Sequence, residues 1–293
     1  MKLFKFAAVA AVFFLPASAQ AGVFSSLLSF DGSVDVVEDD SVGSFVEKGV
    51  VDGILEVGDL LQGMIAFDPI DGNTTPAGSS VIGAYSLEVK SIGAGGTSLV
   101  LGAAAGADSI TSLLGTAGVD MNGLVGSGMD GFAVLESTTA DVSQRSDFTG
   151  PSFGFSGAVT AADFKAVTLL GFDGVDDTHI VTSFGSDLTD LSGIAGLAGT
   201  GATVAIFNGT YSVTDHAFGA GVTFLPLFNV LNGGSGDVII TNGTIAATDA
   251  NTTGLGWDFN DDGDFNINAV PEPTSMLIFA GLGLVGFMRR RNG

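Results

Sequence analysis

Glycine is distributed along the whole chain and accounts for 45 of its 293 residues. A glycine inside a helix costs roughly 0.5–1 kcal/mol relative to alanine, so this density disfavours long helices. Glycine suits bends and tight sheet edges instead. The chain is 46% hydrophobic and contains 23 phenylalanines, which is too apolar for a disordered polyanion. The sequence therefore predicts a folded body in which helices are short.

Two-residue turns between β-rich runs are the strongest local signals. Asn208-Gly209 and Asn242-Gly243 each separate two such runs, and Asp31-Gly32 is a third candidate. Asn-Gly tolerates the positive φ angles of a type I′ turn, whose twist matches the flanking strands. The sequence therefore predicts three β-hairpins.

One stretch alternates in the manner of a strand, whereas helical signals are few. Residues 85–90 alternate so that Tyr85, Leu87 and Val89 share one face and the polar residues face water. Residues 160–163 predict a cap for a short helix that ends at Gly171. The predicted fold class is all-β, an antiparallel β-sandwich-like ectodomain with short targeting helices at its ends. Residues 93–128 fit either a long loop or a second sheet layer.

The first 21 residues have the three-part layout of a secretory signal. Lys2 and Lys5 precede an apolar run over residues 6–15, and small residues follow it. Two A-x-A patterns overlap at Ala19, and the one that ends at Ala21 is favoured. We expect cleavage there by signal peptidase after delivery to the secretion machinery.

The last 23 residues combine prolines, an apolar run and basic residues. Pro271, Glu272 and Pro273 come first, and an uncharged run then extends over residues 276–288. As a helix this run would cover roughly 20 Å, less than a hydrocarbon core of about 30 Å. Basic residues mark the cytoplasmic side of a span, which would place the body outside. The ends of the apolar run and the basic cluster after it are Met276, Met288, Arg289, Arg290 and Arg291.

This order of features resembles the PEP-CTERM sorting signal. The resemblance implies transient insertion in the inner membrane and recognition by an exosortase that cuts near Pro271-Glu272-Pro273. It also implies a Gram-negative producer of exopolysaccharide and a final location at the cell surface or in the matrix. The predicted organisation is a signal peptide (1–21), an ectodomain of one or two domains (22–248), an acidic linker (249–270) and the sorting signal (271–293).

The net charge excludes some partners. Residues 22–275 contain all 32 acidic residues but only four of the nine basic residues, a formal charge of −28. Such a field repels nucleic acid unless cations bridge the two surfaces. The chain contains no cysteine, so neither disulfides nor thiol chemistry are available.

An acidic run near the C-terminus follows the pattern of a calcium loop. It matches D-x-[DN]-x-[DN]-G and resembles loops of the dockerin kind. The predicted ligands are Asp258, Asn260, Asp262, Asp264 and Asn266. The twelfth position is Ala269, so the bidentate carboxylate of such loops is missing. The alternative interpretation is a solvated acidic linker.

Catalytic signals are few. Residues 150–154 match G-x-S-x-G around Ser152, and Asp176 and His179 follow in hydrolase order. No βαβ rhythm surrounds the motif, and a turn between strands explains it equally well. The acidic residues 38–40 are expected in an exposed loop.

Three functions follow from these patterns. The first is a non-enzymatic structural or adhesive protein of the surface or biofilm matrix. The second is a calcium-dependent carbohydrate-binding module that uses divalent cations to bridge extracellular polysaccharide. The third is a secreted hydrolase that uses Ser152.

Overall fold

The structure is a computed structural model that describes residues 22–28, 34–69, 74–150, 153–173, 177–217, 222–224, 239–267 and 269–271. The strands are β1 (Asp35–Val46), β2 (Leu60–Pro69), β3 (Ser80–Ile92), β4 (Ser98–Ala103), β5 (Asp130–Ser137), β6 (Phe148–Thr149), β7 (Gly154–Phe155), β8 (Lys165–Gly171), β9 (Thr178–Ser183), β10 (Thr203–His216), β11 (Val222–Phe224), β12 (Ile239–Ala247), β13 (Phe259–Ile267) and β14 (Ala269–Pro271). The α-helices are α1 (Ile110–Ala117) and α2 (Leu191–Ala195). The 3-10 helices are Phe24–Leu27, Ala94–Gly96, Gly106–Asp108, Arg145–Asp147 and Ala161–Asp163.

One antiparallel sheet closes on itself. Eight strands follow one another in the order β12-β13-β1-β2-β3-β4-β9-β10, and β10 pairs with β12 to complete the ring. The prediction of an antiparallel all-β body is confirmed, with a closed barrel in place of separate layers. Residues 249–267 belong to this body, because β13 lies between β12 and β1. The linker prediction is therefore wrong for this part of the chain.

Two strands of the barrel wall, β3 and β10, each pair with two different strands along their length. The first half of β3 pairs with β5 and its second half pairs with β4. In the same way β10 pairs first with β9 and then with β8. Strands β5 and β8 pair with each other, so they continue the wall where β4 and β9 end. The long strands β3 and β10 therefore belong to both sections of the wall, one that contains β4 and β9 and one that contains β5 and β8.

The Asn-Gly dipeptides lie in the middle of strands, so two predicted hairpins are wrong. Asn208 pairs with Asn242 across β10 and β12, and both strands continue through the following glycine. Asp31-Gly32 lies outside the described residues. A Cβ on Gly243 or Gly263 would approach the Phe207 ring to 2.7 Å. These glycines leave room inside the barrel for an aromatic ring rather than turning the chain.

The apolar residues form two cores, one on each side of the barrel wall. The inner core fills the barrel and includes Phe132, Phe207 and Tyr211. The outer core lies between the wall and a covering layer that includes α1 and Trp257. The indole of Trp257 donates to the carbonyl of Phe148 over 3.1 Å. Residues 93–128, left open by the sequence, contribute β4 to the wall and α1 to the covering layer.

The predicted helix after residue 160 is a strand. Thr160 and Asp163 form the expected capping box, but it caps only the 3-10 helix Ala161–Asp163. Strand β8 follows, and Ala166 to Leu170 are all buried because each face of β8 meets one of the two cores. A strand buried on both faces has a continuous apolar run, which local periodicity does not distinguish from a buried helix.

Candidate functional site

The predicted calcium ligands lie along β13 rather than in a loop. Asp258 precedes the strand, and Asn260, Asp262, Asp264 and Asn266 occupy alternate positions within it. Same-face neighbours in a strand are about 6.5–7 Å apart, whereas calcium requires oxygens at about 2.3–2.6 Å. One ion therefore cannot contact all five residues. The EF-hand-type loop is absent, and calcium binding itself stays a prediction.

Two of these five residues already have structural partners. The Asp258 carboxylate accepts the backbone N–H of Phe45 over 3.1 Å, and burial raises its pKa. The Asn260 amide is buried and hydrogen-bonded to the Thr252 hydroxyl over 2.9 Å. Among the described residues, no group of three or more His, Cys, Asp or Glu side chains is placed to hold a metal.

The outward face of β13 contributes to an acidic groove. Glu38 on β1 lies opposite Asp264 and Asp68, and Asp40 lies opposite Asp262. The groove has a volume of ≈ 260 Å³ and is lined by Glu38, Asp40, Asp68, Asp262 and Arg145, among others. Arg145 Nε lies 2.6 Å from Asp40 Oδ1. Partial burial raises the pKa of Asp40, and the guanidinium opposes this shift.

The inward face of the same two strands carries a second acidic pair. Asp39 of β1 and Asp261 of β13 line an internal cavity of ≈ 20 Å³, together with Thr241 of β12. The hydroxyl of Ser41, which lies opposite Asp261, donates to Asp261 Oδ1. Asp39 and Thr241 are each 1% exposed. The barrel interior therefore contains two carboxyl groups, of which Asp39 is buried and Asp261 is partly exposed, in a mainly aromatic and aliphatic core.

The surroundings disfavour charge on both inward carboxyl groups. Burial, reinforced by Asp261, raises the pKa of Asp39 well above its usual value. Burial likewise raises the pKa of Asp261 to about 7. The pKa values of Tyr85 and Tyr211 are also raised, first by burial and then by these carboxylates. A carboxyl pair that shares a poorly solvated site ionises with difficulty.

The structure places His179 and Phe153, which follows Ser152 in the sequence, on different sides of the barrel wall. His179 lies inside the barrel, where its Nδ1 is hydrogen-bonded to the Tyr211 hydroxyl and its ring stacks on Phe207 at 5.6 Å. Burial lowers the pKa of His179 to about 3. Ser152 and Asp176 lie outside the described residues, but Phe153 belongs to the outer core. The candidate base and this neighbour of the candidate nucleophile therefore lie on opposite sides of the wall.

The inward pair was missed by sequence reasoning. Asp39 was expected in an exposed loop, but residues 38–40 belong to β1. Asp261 occupies a non-ligand position of the calcium pattern, so that pattern gave it no role. The available signal was alternation: Val37, Asp39 and Ser41 share one face of β1, and Phe259, Asp261 and Phe265 share one face of β13. Which face is inward depends on closure of the barrel.

The residues before the Pro-Glu-Pro tripeptide form a paired strand. Strand β14 ends at Pro271 and pairs with β11, with Pro271 opposite Val222. The two prolines favour an extended, unpaired backbone, but the backbone is paired with β11 as far as Pro271. Within the described part of the chain, no helix has both the length and the apolar character needed to cross a membrane. The predicted processing and membrane residues Ala19, Ala21, Glu272, Pro273, Met276, Met288, Arg289, Arg290 and Arg291 lie outside the described residues.

Comparison with known proteins assigns the C-terminal segment. Residues 269–292 match the model of the PEP-CTERM protein-sorting motif. No curated protein and no solved structure matches the chain. The match covers the tripeptide, the apolar run and the arginine cluster, and the motif implies export and sorting to the cell surface. The chain is therefore an exported protein that carries the PEP-CTERM protein-sorting motif, which makes an exosortase its implied processing partner.

Proposed function

We propose that the chain is a non-enzymatic structural or adhesive protein of the cell surface or extracellular matrix. In this proposal an exosortase cuts near Pro271-Glu272-Pro273 in a Gram-negative host, and the barrel is retained among exopolysaccharide or biofilm components. The observation that carries the proposal is the sorting motif at residues 269–292. In this proposal the sorting motif determines the location of the protein, and the surface of the barrel makes the structural or adhesive contacts at that location.

The form of the body supports an extracellular role. Each of the eight ring strands has a partner on both sides, so the ring has no open edge. An open edge is a template for aggregation, and closure removes that hazard in a protein exposed to many others. The outward acidic groove has few basic side chains to neutralise it, which supports contact through cations. The position of His179 inside the barrel supports a non-enzymatic role.

Replacement of the tripeptide tests the sorting step. Pro271→Ala, Glu272→Ala and Pro273→Ala are combined in the full chain and expressed in the native host. We expect an unprocessed form that keeps its C-terminal arginines and stays in the inner membrane. Intact mass of the membrane and extracellular fractions reports both ends of the chain at once.

A matched control uses the same residue types elsewhere on the surface. Glu56 and Pro76 are both exposed on the barrel, and Glu56→Ala with Pro76→Ala should be processed like the wild type. Normal processing of the tripeptide variant would refute exosortase sorting through residues 271–273. A processed protein recovered only as a freely diffusing species, with none in the matrix, would refute the structural role.

The outward acidic groove supports a second candidate, a calcium-dependent carbohydrate-binding module. Its carboxylates on neighbouring strands offer hard oxygen ligands that suit Ca²⁺ between protein and an anionic polysaccharide. The test is binding to an anionic glycan array with Ca²⁺ and with chelator. Binding should require Ca²⁺ and should fall in Asp68→Asn and Asp262→Asn. Binding that ignores both the chelator and these substitutions would remove this candidate.

A further inference from the structure

We propose that the barrel interior holds one calcium ion between Asp39 and Asp261, with the hydroxyl oxygen of Thr241 as a further protein ligand and Ser41 holding Asp261 in place. This site is distinct from the predicted loop, because it uses inward residues of three strands rather than successive outward residues of one. It goes beyond the proposed function and does not depend on sorting.

Unpartnered buried oxygens point to a ligand. Within the described residues, Asp39 Oδ1 and Thr241 Oγ1 have no hydrogen-bond partner, although both side chains are 1% exposed and line the cavity. Leaving a buried polar group without a partner is costly, and native structures satisfy almost all such groups. The Asp39 side chain lies close to Gly263, and a Cβ added at Gly263 would be 2.9 Å from Asp39 Oδ1. The absence of a side chain at residue 263 therefore helps to leave this oxygen open to the cavity.

The charge balance favours a cation. No lysine or arginine is among the described residues that line the cavity. Arg145 lies on the outward face beside Asp40. Its charge lowers the pKa of Asp261, but burial raises that pKa by more. Buried carboxylates are normally paired or bound to a metal. A divalent ion would match the formal charge of the two ionised groups.

The donor types and the volume select the kind of ion. All the proposed donor atoms, from Asp39, Asp261 and Thr241, are oxygens, which suit hard cations such as Ca²⁺ and Mg²⁺. Mg²⁺ usually retains several waters, and a cavity of ≈ 20 Å³ offers space on the scale of one water. Ca²⁺ accepts irregular oxygen shells and sheds water more readily. The interior therefore suits one calcium ion better than a hydrated magnesium ion.

Calcium content is measured on the full chain after purification in chelator and dialysis against Ca²⁺ at pH 7.5. We expect one ion per chain by elemental analysis, and a thermal midpoint higher by about 4 °C or more with saturating Ca²⁺. Asp39→Asn and Asp261→Asn should each weaken the affinity by about 100-fold or more, because ligand charge sets calcium affinity. Mg²⁺ at the same concentration should give a smaller thermal shift.

The matched controls are the outward neighbours. Asp40→Asn and Asp262→Asn lie one residue away on the same strands and should keep the ion and the thermal shift. This also separates the interior site from the carbohydrate candidate, whose groove includes Asp40 and Asp262. Absence of bound calcium in the wild type would overturn the proposal. Equal loss in the inward and outward variants would overturn it as well, because the ion would then belong to the groove.

The inward variants are expected to fold. Asparagine is close in size to aspartate, and in Asp261→Asn its amide oxygen can still accept the hydrogen bond from the Ser41 hydroxyl. A circular-dichroism spectrum unchanged from the wild type, together with lost calcium binding, supports the site. If the asparagine variants fold and retain one calcium ion with wild-type affinity, the proposal is wrong.

Discussion

Strands β1 and β13 each carry two consecutive aspartates that meet opposite environments. Asp39 and Asp261 point into the barrel, whereas Asp40 and Asp262 point into the outward groove. Burial strongly raises the pKa values of the inward pair, while Arg145 lies against Asp40 on the outside. A displacement of one residue along a strand thus changes a solvated carboxylate into a poorly solvated one.

The comparison teaches that the acidic composition has two physical meanings in this protein. Outside the barrel, carboxylates add to a surface field that acts on partners and is screened by salt. Inside the barrel, the same chemical group imposes a desolvation cost that a proton or a cation must relieve. The net charge of the chain indicates the surface field but gives no information on the desolvation cost inside the barrel.

The largest expected difference between the two faces comes from added volume. Gly263 is inward, and a Cβ there would lie 2.6 Å from the Asn242 carbonyl oxygen and 2.7 Å from Phe207. We expect Gly263→Val to lower the free energy of unfolding by about 3 kcal/mol or more, because the core cannot absorb the side chain. Asp264→Val, the outward neighbour, should change it by about 0.5 kcal/mol or less. Urea denaturation measures both, and equal effects would contradict the assignment of faces.

Acid should destabilise the barrel through His179. Its folded pKa is about 3, whereas its ordinary value is 6.5. The unfolded chain therefore binds the proton first, so this contribution is complete above pH 6.5 and declines as the pH falls towards 3. The slope from this residue is at most about 1.4 kcal/mol per pH unit.

A His179→Gln variant should lose this part of the acid sensitivity. The unfolding free energies of variant and wild type are compared at pH 7.5 and at pH 4.5. The unfolding free energy of the variant relative to that of the wild type should be higher at pH 4.5 than at pH 7.5. A gap that is independent of pH would show that His179 titrates normally in the folded protein.

A smaller effect is expected when an inward carboxylate is neutralised in chelator. At pH 8 we expect Asp261→Asn to raise the free energy of unfolding by about 1–2 kcal/mol, since it removes a desolvated charge beside Asp39. Asp262→Asn should stay within about 0.5 kcal/mol of the wild type. Chemical denaturation with excess chelator gives the comparison. Destabilisation by Asp261→Asn under these conditions would mean that the ionised group is favourably solvated inside the barrel.

The smallest expected effect concerns the outward ion pair. Arg145→Gln should cost about 0.5–1 kcal/mol, because its guanidinium is only partly exposed and lies 2.6 Å from Asp40. The loss should shrink in 1 M salt, where surface charges are screened. Lys90→Gln is the control, since the Lys90–Glu88 pair has side-chain exposures of 43% and 28%. A loss from Arg145→Gln that does not respond to salt would point to packing rather than charge.

Local patterns predicted the fold class but not the positions of its turns. Residues 85–90 alternate as expected, and Tyr85, Leu87 and Val89 are buried in β3. Ser86 is also buried, because an outer layer covers that side of the wall and Ser86 donates to the Asp108 carbonyl over 2.7 Å. The Asn-Gly signal failed because long-range pairing of β10 with β12 and β9 outweighs a two-residue preference for turning.

By itself the sequence determined the destination of the protein, because a sorting motif is read along the chain by other proteins and needs no folded partner from the same chain. It also determined that the body is β-rich, acidic and without disulfides. Only the tertiary structure decided that Asp39 and Asp261, which are 222 positions apart, meet inside a closed barrel. Strand alternation assigns residues to two faces, but only closure of the sheet decides which face loses its water.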